Sequence, residues 1–102
     1  MRKVACKECG EGFTSRQYNA DFCGQACRRS FNNRRMTRGA MLYDLDMLAA
    51  AETTSGEARG ELTARRKALV ASWQKEDQTA NRKRTTKRLS DVLADTMQYA
   101  AR

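Results

Sequence analysis

Proline, histidine and isoleucine are absent from the 102 residues, and no glycine follows Gly60. Without histidine the chain has no imidazole to bind a metal or to act as a general base near neutral pH. Without proline, and with no glycine in the last 42 positions, little in the second half opposes helix formation. Strong core formers are also scarce. Seven Leu, three Val and three Phe make 13 residues of 102, below the fifth expected of a well-packed globular chain. Such a chain needs a supplementary source of order, such as a metal, a second copy or a partner.

Apolar runs are short. None approaches the roughly 20 residues that span a bilayer, and the N-terminal MRKVACKECG lacks the apolar stretch of a secretory signal. The expectation is a cytoplasmic protein with no membrane partner. In that reducing compartment four cysteines in two close pairs read as metal ligands rather than disulfides.

Charge is the plentiful ingredient: 20 Lys and Arg against 12 Asp and Glu leave a net +8, with mean hydropathy −0.82 and pI near 9.8. That balance favours anionic partners such as nucleic acid, through counterion release. Residues 1–40 carry +6, 41–60 carry −3, 61–80 carry +1 and 81–102 carry +4, so two basic ends flank an acidic middle.

Cys6-Lys7-Glu8-Cys9-Gly10 is a metal knuckle, with two residues between the thiols and a glycine free to take the left-handed turn. Cys23 and Cys27, spaced i, i+4, place both sulfurs on one side of a first helical turn, whose N-terminus favours thiolates. The 13 intervening residues suit a short hairpin through Phe13 and Tyr18. The expected cofactor is one structural Zn²⁺ held by Cys6, Cys9, Cys23 and Cys27. Buried unligated cysteines, a redox pair and an iron–sulfur cluster are the other chemical readings of the same residues. Four thiolates leave no coordination position for water, so the metal is expected to tie the fold together and the protein not to be an enzyme.

The order CxxCG, Phe13, then Asp21-Phe22-Cys23-Gly24-Gln25-Ala26-Cys27-Arg28-Arg29-Ser30-Phe31 resembles treble-clef zinc fingers of the TRASH/MYM kind, a zinc-bearing ribosomal group, and the YacG family of small gyrase inhibitors. FCGQACRRSFNNRRMTRGA is also similar to short zinc-finger proteins of bacterial and prophage genomes. The resemblance spans residues 4–40. It implies a small α+β zinc module, a β-hairpin plus helix, and partners drawn from rRNA, DNA, metals or enzymes.

Beyond Cys27 the expected helix continues through Arg28-Arg29-Ser30-Phe31-Asn32-Asn33-Arg34-Arg35-Met36-Thr37-Arg38, with Gly39 as its stop. Arg28, Asn32 and Arg35 share one face and can read guanine and adenine edges, while Arg29, Arg34 and Arg38 can grip phosphates. Charge compensation of the four-thiolate centre by Lys7, Arg28 and Arg29 is the plainer role. Phe31 reads as a core anchor in preference to a base-stacking platform.

The first domain is thus expected at 1–39 and a helical region at 40–102. Met41, Leu42, Leu45, Leu48 and Ala49 step at helical spacing, and Thr54 with Glu57 forms a capping-box pattern for a following helix. That helix repeats Ala58, Leu62, Leu69 and Trp73, with Arg65 intruding. The run Arg82, Lys83, Arg84, Lys87 and Arg88 reads as a solvent-facing helix start or a phosphate-binding arm. Leu89, Val92, Leu93, Thr96, Met97 and Ala100 then form a last amphipathic stripe, too short for a free coiled coil, that can weakly support a homo-oligomer or pack instead on the Met41 to Ala49 helix. Trp73 and Tyr99 read as core or interface residues. The expected function is nucleic-acid binding, DNA favoured over RNA, in an accessory or regulatory role. A protein-binding inhibitor or adaptor and a ribosome-associated protein are the alternatives.

Overall fold

The computed structural model describes residues 2–17 and 20–100, the side chains of residues 98–100 excepted. Tyr18 of the expected hairpin and the Tyr99 side chain lie outside the described residues. The fold is a small α+β arrangement, mostly helical: strands β1 (Arg2–Ala5) and β2 (Gly12–Ser15), then α1 (Gln25–Ala50), α2 (Gly56–Thr79) and α3 (Leu89–Ala100).

The two strands pair antiparallel, with Val4 opposite Phe13 and Ala5 opposite Gly12. Between them the chain folds tightly: Cys6 N–H donates to Glu11 C=O at 2.9 Å and Gly10 N–H to Cys6 C=O at 3.0 Å. Gly10 takes φ 77°, the left-handed turn a Cβ would oppose.

Helix α1 begins after Gly24, whose extended backbone caps it without a side-chain bond, and runs 26 residues, about 39 Å. Gly39 does not stop it. Interior glycine costs about 1 kcal/mol, and the helix-forming run from Ala40 to Ala50 outweighs that cost. The 39/40 division therefore falls in mid-helix. The true end is at Ala51, whose backbone turns extended. There the carbonyls are met from outside the helix: Thr54 Oγ1 donates to Leu48 C=O at 2.6 Å and Arg59 Nε to Ala49 C=O at 2.7 Å. A cation at a helix C-terminus also complements its dipole.

The cap of α2 is Ser55, not Thr54, its Oγ accepting from Ala58 N–H at 3.1 Å. At the other end Arg82 N–H reaches Asp77 C=O at 2.9 Å and Asn81 N–H reaches Gln78 C=O at 3.1 Å. With Asn81 at φ 60° this is a Schellman motif, asparagine standing where glycine is usual.

Contacts at residues 38 with 77, 46 with 66 and 49 with 59 run in opposite senses, so α1 and α2 form an antiparallel hairpin. The inward side of α1 carries Phe31, Arg34, Arg38, Leu42, Leu45 and Ala49, all half-buried, and α2 answers with Ala58, Leu62, Leu69 and Trp73. Met41 and Leu48, expected on the inner stripe, are 46% and 54% exposed, because the register that packs runs through Arg38, Leu42, Leu45 and Ala49 and leaves both of them to one side. Arg65 is exposed and does not intrude. Among the described residues only Cys6 is fully buried, so the most enclosed side chain belongs to the cysteine knuckle.

Residues 82–88 are irregular rather than a helix start, and α3 begins only at Leu89. No helix of the described residues is long and apolar enough to cross a membrane.

Candidate metal centre and basic surface

The hairpin brings Cys6 and Cys9 against the first turn of α1, and the ligand atoms of Cys6, Cys9, Cys23 and Cys27 lie within 4.8 Å of one another. That cluster can bind a metal ion. Around a tetrahedral zinc at 2.3 Å, thiolate sulfurs stand about 3.8 Å apart. Cys9 and Cys23 sulfurs are 3.9 Å apart and those of Cys23 and Cys27 3.6 Å, so the donor set fits in both chemistry and spacing.

Burial penalises the Cys6 thiolate, but backbone hydrogen bonds around Cys9, Cys23 and Glu8 outweigh it and bring the thiol down to about 6. Cys23 N–H, 3.4 Å from Cys6 Sγ, is one of these donors. Cys27 is pushed up to about 12, first by its hydrogen bond with Cys23 and then by burial and by Cys6. Thiols this close resist collective ionisation, and a dication at their centre reverses that balance.

Around the knuckle the basic residues divide into two groups. Arg34 forks onto Glu8, Nη1 to Oε1 at 2.7 Å and Nη2 to Oε2, tying the helix to the residue between the first two cysteines. Arg38 donates to Asp77 at 3.1 Å and Glu76 at 3.2 Å while its guanidinium lies 5.3 Å from the centre of the Trp73 ring. Arg82 pairs with Asp77 at 2.7 Å and Glu76 at 3.3 Å, with its Nε 3.8 Å from Glu8. The side chains of Arg34, Arg38 and Arg82 are only 14–19% exposed. Desolvation works against the Asp77 carboxylate, yet Arg38 and Arg82 hold its pKa below the usual value.

Arg84, at φ 49°, donates to the Ala5 carbonyl and lies 3.4 Å from Asp21. Lys87 and Arg88 make exposed pairs with Asp95 and Asp91. The second group is Arg28, Arg29, Asn32, Arg35 and Lys83: their side chains are exposed and unpartnered among the described residues. Phe31 packs on Phe22, ring centres 5.2 Å apart, under Lys7 at 5.9 Å, which is an anchoring role.

Glu8, Glu76, Asp77 and Asn81 carry much of this organisation and do not stand out in sequence. The available signal was the inner stripe itself, whose steps of three and four pass through Arg34 and Arg38 and so demand buried carboxylate partners. In comparison with known proteins the chain matches no family model, no curated protein and no solved structure.

Proposed function

We propose that this chain is a zinc-bearing protein of treble-clef type that grips the phosphate backbone of duplex DNA with the N-terminal half of α1. The observation that carries the reading is the sorting of the arginines. Those on the inner stripe are consumed by carboxylates, whereas Arg28, Arg29 and Arg35, with Asn32, remain exposed and unpartnered among the described residues just beyond Cys27. Arg28, Asn32 and Arg35 lie along about 10 Å of one helix side, the rise of about three base pairs. A face of cations held rigid by an adjacent metal centre is suited to phosphate contact.

Zinc in this reading is structural. Its four thiolate ligands would be Cys6, Cys9, Cys23 and Cys27, all coordination positions are filled, and no catalytic step is assigned to the protein. Metal analysis after dialysis and a cobalt-substituted absorption spectrum test the centre. A salt titration of the zinc-loaded protein against duplex DNA, single-stranded DNA and RNA tests the binding. A steep salt slope with preference for duplex supports the proposal, preference for RNA moves it to a ribosomal or RNA role, and negligible binding at physiological salt overturns it.

A second reading, docking onto another protein as an inhibitor or adaptor, has one observation in its favour. Met36, Tyr43 and Met47 lie on the outward side of α1 and are 73%, 64% and 56% exposed. Met36→Asp with Tyr43→Ala would abolish activity under that reading and leave DNA affinity little changed.

A further inference from the structure

Two features of the chain remain unused by the metal centre and the arginine face. The first is α3, whose Leu89, Val92, Leu93 and Met97 are 73%, 42%, 51% and 69% exposed. An amphipathic helix of 12 residues with its apolar side in water does not hold together on propensity alone. The second is a groove of about 670 Å³ beside the inner stripe, floored by Phe22, Phe31, Leu42 and Trp73 and edged by Arg35 and Val92. Its size is that of a cleft able to hold several apolar side chains.

The two are complementary. Within Leu89–Ala100 the charged residues are Asp91 and Asp95, with no cation. On the groove edge Arg35 is an exposed guanidinium without a partner among the described residues, whereas Asp21 and Asp77 nearby are already matched by Lys7, Arg84, Arg38 and Arg82. The pairs that Asp91 and Asp95 make with Arg88 and Lys87 are exposed, and so contribute little and exchange readily.

The chain's own α3 leaves its groove largely open, although Thr85, Thr86 and Lys87, which lead into the helix, line the edge. Lys83 N–H is fixed to Lys7 C=O at 3.1 Å, and Arg84 is held to Ala5 and Asp21, so only four residues separate this anchor from Leu89. Thus tethered, α3 touches the groove edge with Val92 and leaves Leu93 and Met97 outside. A second copy has no such tether. Every chain offers one groove and one helix, so a two-fold pairing satisfies both features on both chains at once.

We propose that the protein forms an isologous homodimer in which α3 of each copy lies across the groove of the other, with Leu93 and Met97 on the Phe31–Trp73 floor and Asp91 or Asp95 facing Arg35, in competition with phosphate for that one guanidinium while Arg28 and Arg29 stay open to DNA. The burial lost to a sparse core is recovered between chains.

Sedimentation velocity of the zinc-loaded full chain, without nucleic acid, across a wide concentration range tests this. The fluorescence of Trp73, the single tryptophan, is followed in parallel. The expected result is a concentration-dependent dimer whose formation shifts Trp73 emission. Leu93→Asp with Met97→Asp gives a monomer at all concentrations with helical circular dichroism largely retained, and Arg35→Glu weakens the dimer about tenfold. A wild-type monomer throughout overturns the proposal. So does a dimer that survives Leu93→Asp with Met97→Asp, which places the contact elsewhere. A monomer in which those substitutions shift Trp73 emission also overturns it, since α3 then closes on its own groove.

Discussion

Gly10 and Asn81 face each other where the cysteine knuckle meets the end of α2, and both stand in the left-handed region, at φ 77° and 60°. A Cβ on Gly10 would lie 2.1 Å from the Asn81 carbonyl oxygen and 2.6 Å from its Nδ2. The glycine is thus required twice, by its backbone angle and by the neighbour pressed against it. Gly10→Ala is expected to destabilise the protein by roughly 2 kcal/mol or more, read as a lowered melting temperature. Gly56→Ala, with nothing within 4 Å of the added carbon, is the control and shifts stability by less than about 0.5 kcal/mol.

Gly39 gives the opposite expectation. It sits inside α1 with open space where a Cβ would go, so alanine adds helix propensity and meets nothing. Gly39→Ala is expected to stabilise by about 0.5–1 kcal/mol, with a higher melting temperature. Had Gly39 ended a helix in a left-handed cap, the same substitution would lower it, so one thermal melt decides whether α1 is continuous in solution.

Much of this architecture is legible from residue spacing. The two cysteine pairs, the helical second half, and the facing stripes of Leu42, Leu45 and Ala49 with Ala58, Leu62, Leu69 and Trp73 all follow from local rules. What local rules miss is the fate of charge. Arg34 looks like a surface cation until Glu8, 26 residues earlier, is brought beside it, and Arg38 until Asp77, 39 residues later, closes on it. A basic run such as 82–88 reads as a solvated helix start because nothing local announces that Asn81 turns left-handed and folds Arg82 under the knuckle. Ion pairs between distant segments are decided by tertiary packing, whereas periodicity records only the face.

The Asp77 cluster gives the fold an acid limit. Because Arg38 and Arg82 hold the Asp77 pKa below its unfolded value, its stabilisation is present above the ordinary carboxylate range. It is lost as pH falls through the lowered value. Asp77→Asn is expected to cost roughly 2 kcal/mol near neutral pH, leaving two little-exposed guanidiniums short of an anion. The gap between wild type and variant narrows toward acid. Comparing their melting temperatures from neutral to acid pH isolates this contribution from protonation of the thiols, which both proteins share.

Metal removal is expected to act beyond the hairpin. Lys7 C=O receives Lys83 N–H, and Lys7 N–H donates to Asp21 C=O at 2.9 Å, so the knuckle holds the segment after α2. Chelation of the metal ion that the four cysteines can hold is expected to speed hydrogen exchange at the Cys6, Lys7 and Gly10 amides and equally at Lys83. Amides of α1 and α2 near Leu45 and Leu62, remote from the knuckle, change much less. Protection at Lys83 that persists after chelation would show that its bond to the Lys7 carbonyl stands without the metal.

The two groups of arginine are expected to fail differently. Arg28→Ala with Arg35→Ala removes two exposed cations that have no partner among the described residues, so the proposed DNA affinity is expected to fall, the logarithmic salt slope to shrink by about 2, and the melting temperature barely to move. Arg82→Ala removes a guanidinium paired with Asp77 and Glu76, so the melting temperature falls first. Any loss of binding then tracks the unfolded fraction. Measuring both quantities on both variants separates contact from scaffold: equal salt slopes for wild type and the Arg28, Arg35 variant would remove the α1 face from the interface. In that case the exposed Lys83 is the next cation to test, because its side chain too is unpartnered among the described residues.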